Sequence, residues 1–289
     1  MYKKFGLLLV TGVLLFTFVC PAFAAGEEEF WQAWQNGDYS AAGVLAKGLG
    51  ATIPEYYALA AICYQNAGKY DLFSVYKNKF HQLADPVNLK GLLDNRLNTT
   101  PDDSQAILME GITALLFPQA QLGDPGVMFG EIAPKLQDNP YLLNYLSFND
   151  LKNHNYSPAV QKRFQQAIAL KKDYPEPYLN LATLLAQTKA VEKAVAVLLD
   201  CFNNCPLVPA AAYEDLLGLI SSPENTTIKP YGQTLNISVP AIKEVYRQQV
   251  KASLSRTPEH LLSLAEVLIM KGNVAAARNL LDGVDFKGS

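Results

Sequence analysis

The residues that most often carry chemistry are few in this chain and lie far apart. Three histidines occur among the 289 residues, His81, His154 and His260, and none stands beside a second candidate ligand. A metal site needs several His, Cys, Asp or Glu side chains brought together, and no run of this sequence groups them at ligand spacing. The histidines are therefore expected to be solvated or to cap helices, and no metal site is predicted.

Glycine-rich and acidic stretches approach two catalytic patterns without completing either. Gly43 and Gly48 have the outer spacing of a phosphate-binding loop, but Leu49 stands where that loop needs its lysine. The adjacent G-L-G run lacks the third glycine of a dinucleotide site, and Asp102 and Asp103 suit a turn and a helix cap. The sequence also lacks an H-E-x-x-H helix and a G-x-S-x-G turn. No catalytic residue, cofactor or enzymatic activity is therefore predicted.

Residues 1–24 are predicted to be a secretion signal. Two lysines precede an apolar run over 5–19, and an A-F-A run at 22–24 fits a cleavage site. The mature chain is then expected to begin at Ala25 and to be secreted or periplasmic, in a bacterial envelope. Two alternatives stay open: an uncleaved membrane anchor, because the run almost spans a bilayer, and lipid attachment at Cys20.

Cleavage would leave three cysteines, Cys63, Cys201 and Cys205. An odd number argues against a disulfide framework, and an i, i+4 pair rarely bridges within an intact helix. Buried thiols in the helical core are expected. A Cys201–Cys205 bond at a frayed helix end and a metal-binding pair remain alternatives.

Charge and composition exclude one class of partner. The formal charge is −3, and removal of two lysines with the signal takes it to −5. Nucleic-acid binding requires a basic patch, which the sequence lacks, so no nucleic-acid partner is predicted.

The most regular stretch runs from Pro175 to Pro206 and predicts two helices joined by a tight turn. Its apolar residues recur every three or four positions, which gives each helix one apolar stripe. The stripes consist of Tyr178, Leu181, Leu184 and Leu185, then Val191, Ala194, Val195, Leu198 and Cys201.

This stretch resembles the 34-residue tetratricopeptide repeat. The positions that define the repeat hold Tyr178, Leu181, Ala182, Leu185, Ala194, Leu198, Cys201 and Pro206, and Lys189 stands where glycine is common. The resemblance implies an all-α fold, a right-handed solenoid of antiparallel helix pairs. Helix-opening prolines repeat the spacing along the chain.

About seven repeats, some degenerate, are predicted in a single helical domain over 25–289. Their bounds are 27–53, 54–85, 86–117, 140–174, 175–208, 209–257 and 258–289, with insertions at 118–139 and 222–239. The first insertion contains a predicted short helix. The second has alternating β-type residues and predicts a small hairpin or an irregular loop.

In the family, the first helices of successive repeats line a concave groove that binds peptides. The resemblance places Glu55, Ile62, Gln65, Glu176, Thr183, Gln187, Glu259 and Glu266 in this groove. It places Tyr57, Ala61, Tyr64, Tyr178, Leu181, Ala182, Ala194, Leu198, Leu264, Ala265 and Ala277 in the repeat core. The groove glutamates complement helix dipoles, and alternatively they would favour a basic or amphipathic partner.

These features favour a non-enzymatic scaffold that binds a peptide or an envelope protein. One alternative is a helical module associated with an enzyme that binds cell-wall glycan, which predicts an aromatic row on the concave face. Another is a structural protein that associates with itself through its C-terminal repeat, because the chain ends without an obvious polar cap.

Overall fold

The computed structural model describes residues 25–206 without a break, and beyond them 208–209, 212, 215–216, 219, 226–228, 235–237, 269, 274, 278 and 281. Eleven α-helices follow one another between residues 25 and 204. The predicted all-α class is confirmed over this part of the chain. The predicted secretion signal lies outside the described residues and stays a prediction.

The chain forms two compact units that divide between Leu136 and Gln137, inside the first predicted insertion. The N-terminal unit contains helices α1 (25–35), α2 (Tyr39–Leu49), α3 (Tyr56–Asn66), α4 (Tyr70–Leu83), α5 (Pro86–Thr99), α6 (Ser104–Leu116) and α7 (Pro125–Ile132), with a 3-10 turn at Pro118–Ala120. In this unit α3 packs against α2, α4 and α6, while α6 also packs against α5 and α7. The short helix predicted in the insertion is α7.

The C-terminal unit contains helices α8 (Pro140–Lys152), α9 (Pro158–Leu170), α10 (Glu176–Gln187) and α11 (Val191–Asn204). Helix α10 packs against α8, α9 and α11. Two short strands, β1 (Thr226–Ile228) and β2 (Leu235–Ile237), pair antiparallel with Thr227 opposite Asn236. The residues that connect the strands lie outside the described residues, so a hairpin insertion at 222–239 stays a prediction.

Proline and a preceding polar residue set the starts of several helices. Helices α5 and α8 begin at Pro86 and Pro140, as the proline spacing predicts. Asp85 and Asn139 accept hydrogen bonds from the first free backbone N–H groups of these helices. Asp103 caps α6 in the same way, which confirms its predicted role.

The same turn closes four helix pairs. Each turn contains one residue with a left-handed backbone, and the next residue donates its N–H to a carbonyl five residues back. The left-handed residues are Gly37, Gly68, His154 and Lys189. The bonds run from Asp38 to Ala33, Lys69 to Tyr64, Asn155 to Asp150 and Ala190 to Leu185, at 2.8 to 3.0 Å. The helix pair α5–α6 is joined differently, through the Asp103 cap.

Close approach of α2 to α3 depends on two glycines. A Cβ atom on Gly50 would lie 2.6 Å from ring carbons of Tyr57, and one on Gly43 would lie 2.9 Å from the Tyr64 ring. Both rings stack on Tyr76 of α4, with centroid distances of 5.7 and 5.3 Å. The two glycines therefore allow the close packing of α2 against α3.

No helix in the described part of the chain combines the length and apolar character that are needed to cross a bilayer.

Replacement of Gly50 by alanine is expected to lower the free energy of unfolding by about 1–3 kcal/mol, because the Tyr57 ring cannot move away from its stack. Gly48→Ala is the matched control, since nothing lies within 4 Å of its Cβ position. This change in α2 should raise stability by up to about 1 kcal/mol. Urea unfolding of both variants measures the difference, and equal effects would contradict the close contact.

Lys189→Gly is expected to stabilise the chain by roughly 0.5–1 kcal/mol, because a side chain in the left-handed region is strained. Lys189 has a φ of 63°, close to the 73° of Gly68. The reciprocal change Gly68→Ala should be destabilising by a similar amount. Thermal unfolding of the two variants tests this, and a destabilised Lys189→Gly would show that the turn carries no strain.

Candidate functional site

Four of the six predicted groove positions that the structure describes are buried. The side chains of Ile62 and Thr183 are 0 % and 2 % exposed, and Glu55 and Glu176 are 6 % and 4 % exposed. The remaining two described positions, Gln65 and Gln187, are half-buried. Glu259 and Glu266 lie outside the described residues. Of the described set, only the two glutamines therefore offer side chains to a partner.

In the N-terminal unit, helix α6 packs against α3, the helix that carries Ile62. Every residue of α6 from Ala106 to Leu115 is buried, as is every residue of α3 except Gln65. The indole N–H of Trp34 donates to the carbonyl oxygen of Gln105 at 2.9 Å, and Gln35 donates to Asp103 at 2.8 Å. These bonds tie the start of α6 to α1, so the two helices enclose α3 together with α2 and α4.

The sequence of α6 contains a signal for this arrangement that the repeat alignment overlooks. The run AILMEGITALL has apolar residues on every side, with Glu110 and Thr113 as its two polar members, whereas a repeat helix with an open groove has one apolar stripe. A helix that is apolar all round must be buried all round. Gly111 allows α6 to approach α7 closely, because a Cβ at that position would lie 2.5 Å from the Phe129 ring of α7.

In the C-terminal unit, helix α10 is buried from Glu176 to Ala186. The Thr183 hydroxyl donates to the Leu179 carbonyl within the helix at 3.0 Å. It is therefore satisfied without a ligand, which removes the polar contact that the groove hypothesis assigned to Thr183.

The described residues assigned to repeat-core positions are all buried. They are Tyr57, Ala61, Tyr64, Tyr178, Leu181, Ala182, Ala194 and Leu198. Leu264, Ala265 and Ala277 lie outside the described residues. The glycan hypothesis requires an aromatic row on an open face, and these tyrosines do not supply one.

A chain of neutral hydrogen bonds crosses the interior of the C-terminal unit. Asn180 of α10 donates to Asn144 of α8 at 3.0 Å, and Asn144 donates to the Tyr174 hydroxyl at 3.1 Å. All three side chains are buried. None of these three side chains carries a charge. Their hydrogen bonds therefore join helices, and the set does not resemble an acid–base site.

Helix α4 and its preceding turn carry cations that rest on aromatic rings. The Lys79 ammonium lies 5.3 and 5.4 Å from the ring centroids of Tyr57 and Tyr76. Lys77 lies 5.5 Å from the Phe73 centroid, and Lys69 lies 6.0 Å from that of Tyr64. These three half-buried lysines form no ion pair with any described residue. Lys69 and Lys79 rest on one tyrosine stack, formed by Tyr64, Tyr76 and Tyr57, and we call their surface the lysine face of α4. Lys77 lies two positions from Lys79 and therefore on another side of the helix.

The histidines of the described part make local contacts. His81 contacts the Gln119 amide at 3.4 Å, and Nδ1 of His154 lies 2.9 Å from the Tyr156 hydroxyl. His260 lies outside the described residues. Among the described residues no three His, Cys, Asp or Glu side chains are grouped as metal ligands would be.

All three cysteines of the described part are buried thiols. Burial raises the pKa of Cys63, and burial together with the neighbouring Cys205 raises the pKa of Cys201. Both thiols are therefore protonated near neutral pH and are poor nucleophiles. The Sγ atoms of Cys201 and Cys205 lie 3.8 Å apart.

Comparison with known proteins adds no family assignment. The chain matches no protein-family model and no curated protein. The tetratricopeptide resemblance therefore rests on the residues and turns described above.

The Tyr178 phenol should make stability depend on alkaline pH. Burial, with a contribution from Cys205 and Cys201, raises its pKa from 10.0 to about 12. A raised folded-state pKa means that its contribution is fully present below pH 10 and is lost as the pH rises towards 12. Tyr178→Phe should therefore lose less stability than the wild type over this window.

Urea unfolding at pH 9, 10, 11 and 12 gives the free energy of unfolding of the wild type and of Tyr178→Phe at each pH. The slopes of this free energy against pH are compared, and its absolute values are not, because the phenylalanine variant also lacks the hydrogen bond from the tyrosine hydroxyl to the Lys172 carbonyl. Identical slopes would show that Tyr178 has no raised pKa in the folded chain.

Proposed function

We propose that this chain is a non-enzymatic scaffold of the tetratricopeptide type that acts outside the cytoplasm and binds a peptide or an envelope protein. The observation that supports it is the recurrence of one helix pair, closed by the same left-handed turn, in both units of the chain. A repeated hairpin presents preformed helical surfaces, and a rigid surface loses little entropy when a partner binds.

The charges on the lysine face favour an acidic partner segment. Glu55 and Glu176, which would favour a basic partner, are buried. The lysine face of α4 instead presents Lys69 and Lys79 without carboxylate partners among the described residues. A cation that already lies on a ring is held in place, so an incoming carboxylate orders it at little cost.

Apolar contact is available on the same helix. Val75 and Leu83 are 46 % and 59 % exposed, and with Lys79 between them they follow a spacing of four residues. A partner that combines acidic with apolar residues would cover both. The proposed binding surface is therefore the lysine face with Val75 and Leu83, and Gln65 and Gln187 remain as the accessible positions of the predicted groove.

Site-specific photocrosslinking in cells that carry the gene tests this function. A photoreactive residue at Asn78, which is exposed between Lys77 and Lys79, is expected to capture one discrete protein. The Lys69→Glu/Lys79→Glu variant should lose most of that adduct, because two attractive charges of the lysine face become repulsive. Lys162→Glu on α9 is the matched control, since Lys162 is exposed and should leave the adduct unchanged.

The other positions decide between surfaces. Adducts from Gln65 and Gln187 without one from Asn78 would return the binding surface to the predicted groove. An adduct at Asn78 that is unaffected by the double charge reversal would contradict the acidic partner. The absence of a discrete adduct at all three positions would contradict the scaffold function.

Self-association is a second candidate because two apolar side chains near the C-terminus are exposed, Ile269 and Val274. A photoreactive residue at Val274 that links two copies of the chain would support it, and a strictly monomeric product would oppose it.

A further inference from the structure

Two cysteines converge at the C-terminal end of α11. Cys201 lies in the last turn of the helix, and Cys205 is the first residue after it. Both side chains are buried, and their Sγ atoms are 3.8 Å apart. Cys63, the other described cysteine, belongs to the N-terminal unit. The pair is therefore the place in the described chain where two thiols meet.

Within an intact helix this spacing would keep the sulfurs apart. Side chains four residues apart have Cβ atoms about 5–6 Å from each other, whereas a disulfide needs about 3.5–4.5 Å. Cys205 is not helical, because its φ of −99° and ψ of 122° are extended. Its N–H still donates to the Cys201 carbonyl at 2.8 Å, which keeps the two residues adjacent while the side chain of Cys205 is turned.

The surroundings favour a sulfur–sulfur bond over a metal site. No third His, Cys, Asp or Glu ligand joins the pair among the described residues. The Cys205 sulfur contacts the Lys172 carbonyl at 3.5 Å, and Tyr178 donates to the same oxygen at 3.0 Å. The sulfur is thus held beside the loop that precedes α10 and directed at Cys201.

We propose that Cys201 and Cys205 form a disulfide that fixes the end of α11. The oxidant is a disulfide-bonded thiol compound. The Cys205 thiol loses its proton, attacks one of the oxidant's sulfurs and expels one thiolate. The Cys201 thiol then loses its proton, attacks the Cys205 sulfur and expels the second thiolate, and its raised pKa makes this second step slow near neutral pH. The two cysteines lose two electrons and two protons, and the oxidant is reduced to two thiols.

The disulfide would link the last turn of α11 covalently to the first residue after the helix. The sulfurs must approach from 3.8 Å to about 2.05 Å, which a residue outside the helix can achieve without unwinding the preceding turn. Cys205 would then stay beside Lys172, so the connection before α10 and the end of α11 are held together.

Refolding of the reduced, purified chain in a mixture of reduced and oxidised glutathione gives the oxidant access to both thiols before they are buried. Alkylation under denaturing conditions and tryptic mass spectrometry then test the proposal. The peptide that begins at Ala194 contains both cysteines. It should carry no alkyl group and be roughly 2 Da lighter than its reduced form, through the loss of two hydrogens. Cys63 should be alkylated. Two alkyl groups or stable glutathione adducts on this peptide would overturn the proposal.

Cysteine-to-serine variants distinguish the effect of the proposed disulfide from a general effect of substitution on stability. Cys201→Ser and Cys205→Ser should each leave the remaining cysteine alkylated, and Cys63→Ser should retain the unalkylated peptide. Reductant should lower the melting temperature of the wild type and of Cys63→Ser by a few degrees and leave the other two variants unchanged. A wild-type melting temperature that does not respond to reductant would contradict the proposed clamp.

Discussion

Four of the helix pairs depend on one backbone constraint, a single left-handed residue that ends the first helix. That residue turns the chain so that the next N–H reaches the carbonyl five residues back, which satisfies the helix end and fixes the entry of the second helix. Because the turn is short and hydrogen-bonded, the two helices lie side by side and their side chains must fit one another. The tyrosines of α3 that stack on Tyr76 of α4 are an example of this fit in the N-terminal unit.

Several polar groups in the interior of each unit make their hydrogen bonds within the chain. Thr183 bonds to its own helix, Asn144 and Asn180 bond to each other, and the Trp34 indole bonds to the start of α6. A buried polar group that loses its partner would cost about 1–3 kcal/mol, so the Asn144–Asn180 and Trp34–Gln105 bonds each fix one relative position of two helices. Polar character at these positions is thus explained by packing, which leaves recognition to residues at the surface.

Local signals in the sequence predict much of the fold. Pro86, Pro140 and the cap at Asp103 locate helix starts, and the Ala67-Gly68 turn locates a helix end, because each depends on neighbours within a few residues. The position of α6 could not be obtained in this way. It depends on contacts such as Trp34 with Gln105, which are 71 residues apart and leave no periodic trace. The groove assignment of Ile62 assumed that a first helix has an open face, and α6 removes that face. The contact of Lys79 with Tyr57 escaped the pattern for another reason, since it joins residues of α4 and α3 that no single helical stripe contains.

The bond from Trp34 to Gln105 also bears on how the N-terminal unit acquires its structure. In an ideal repeat array every module touches only its neighbours, so folding can start anywhere and spread along the chain. Here the first helix is bonded to a segment two helix pairs along, and that contact must wait until the intervening chain is in place. Contacts of such long sequence separation slow folding and make the segment from α1 to α6 one cooperative block.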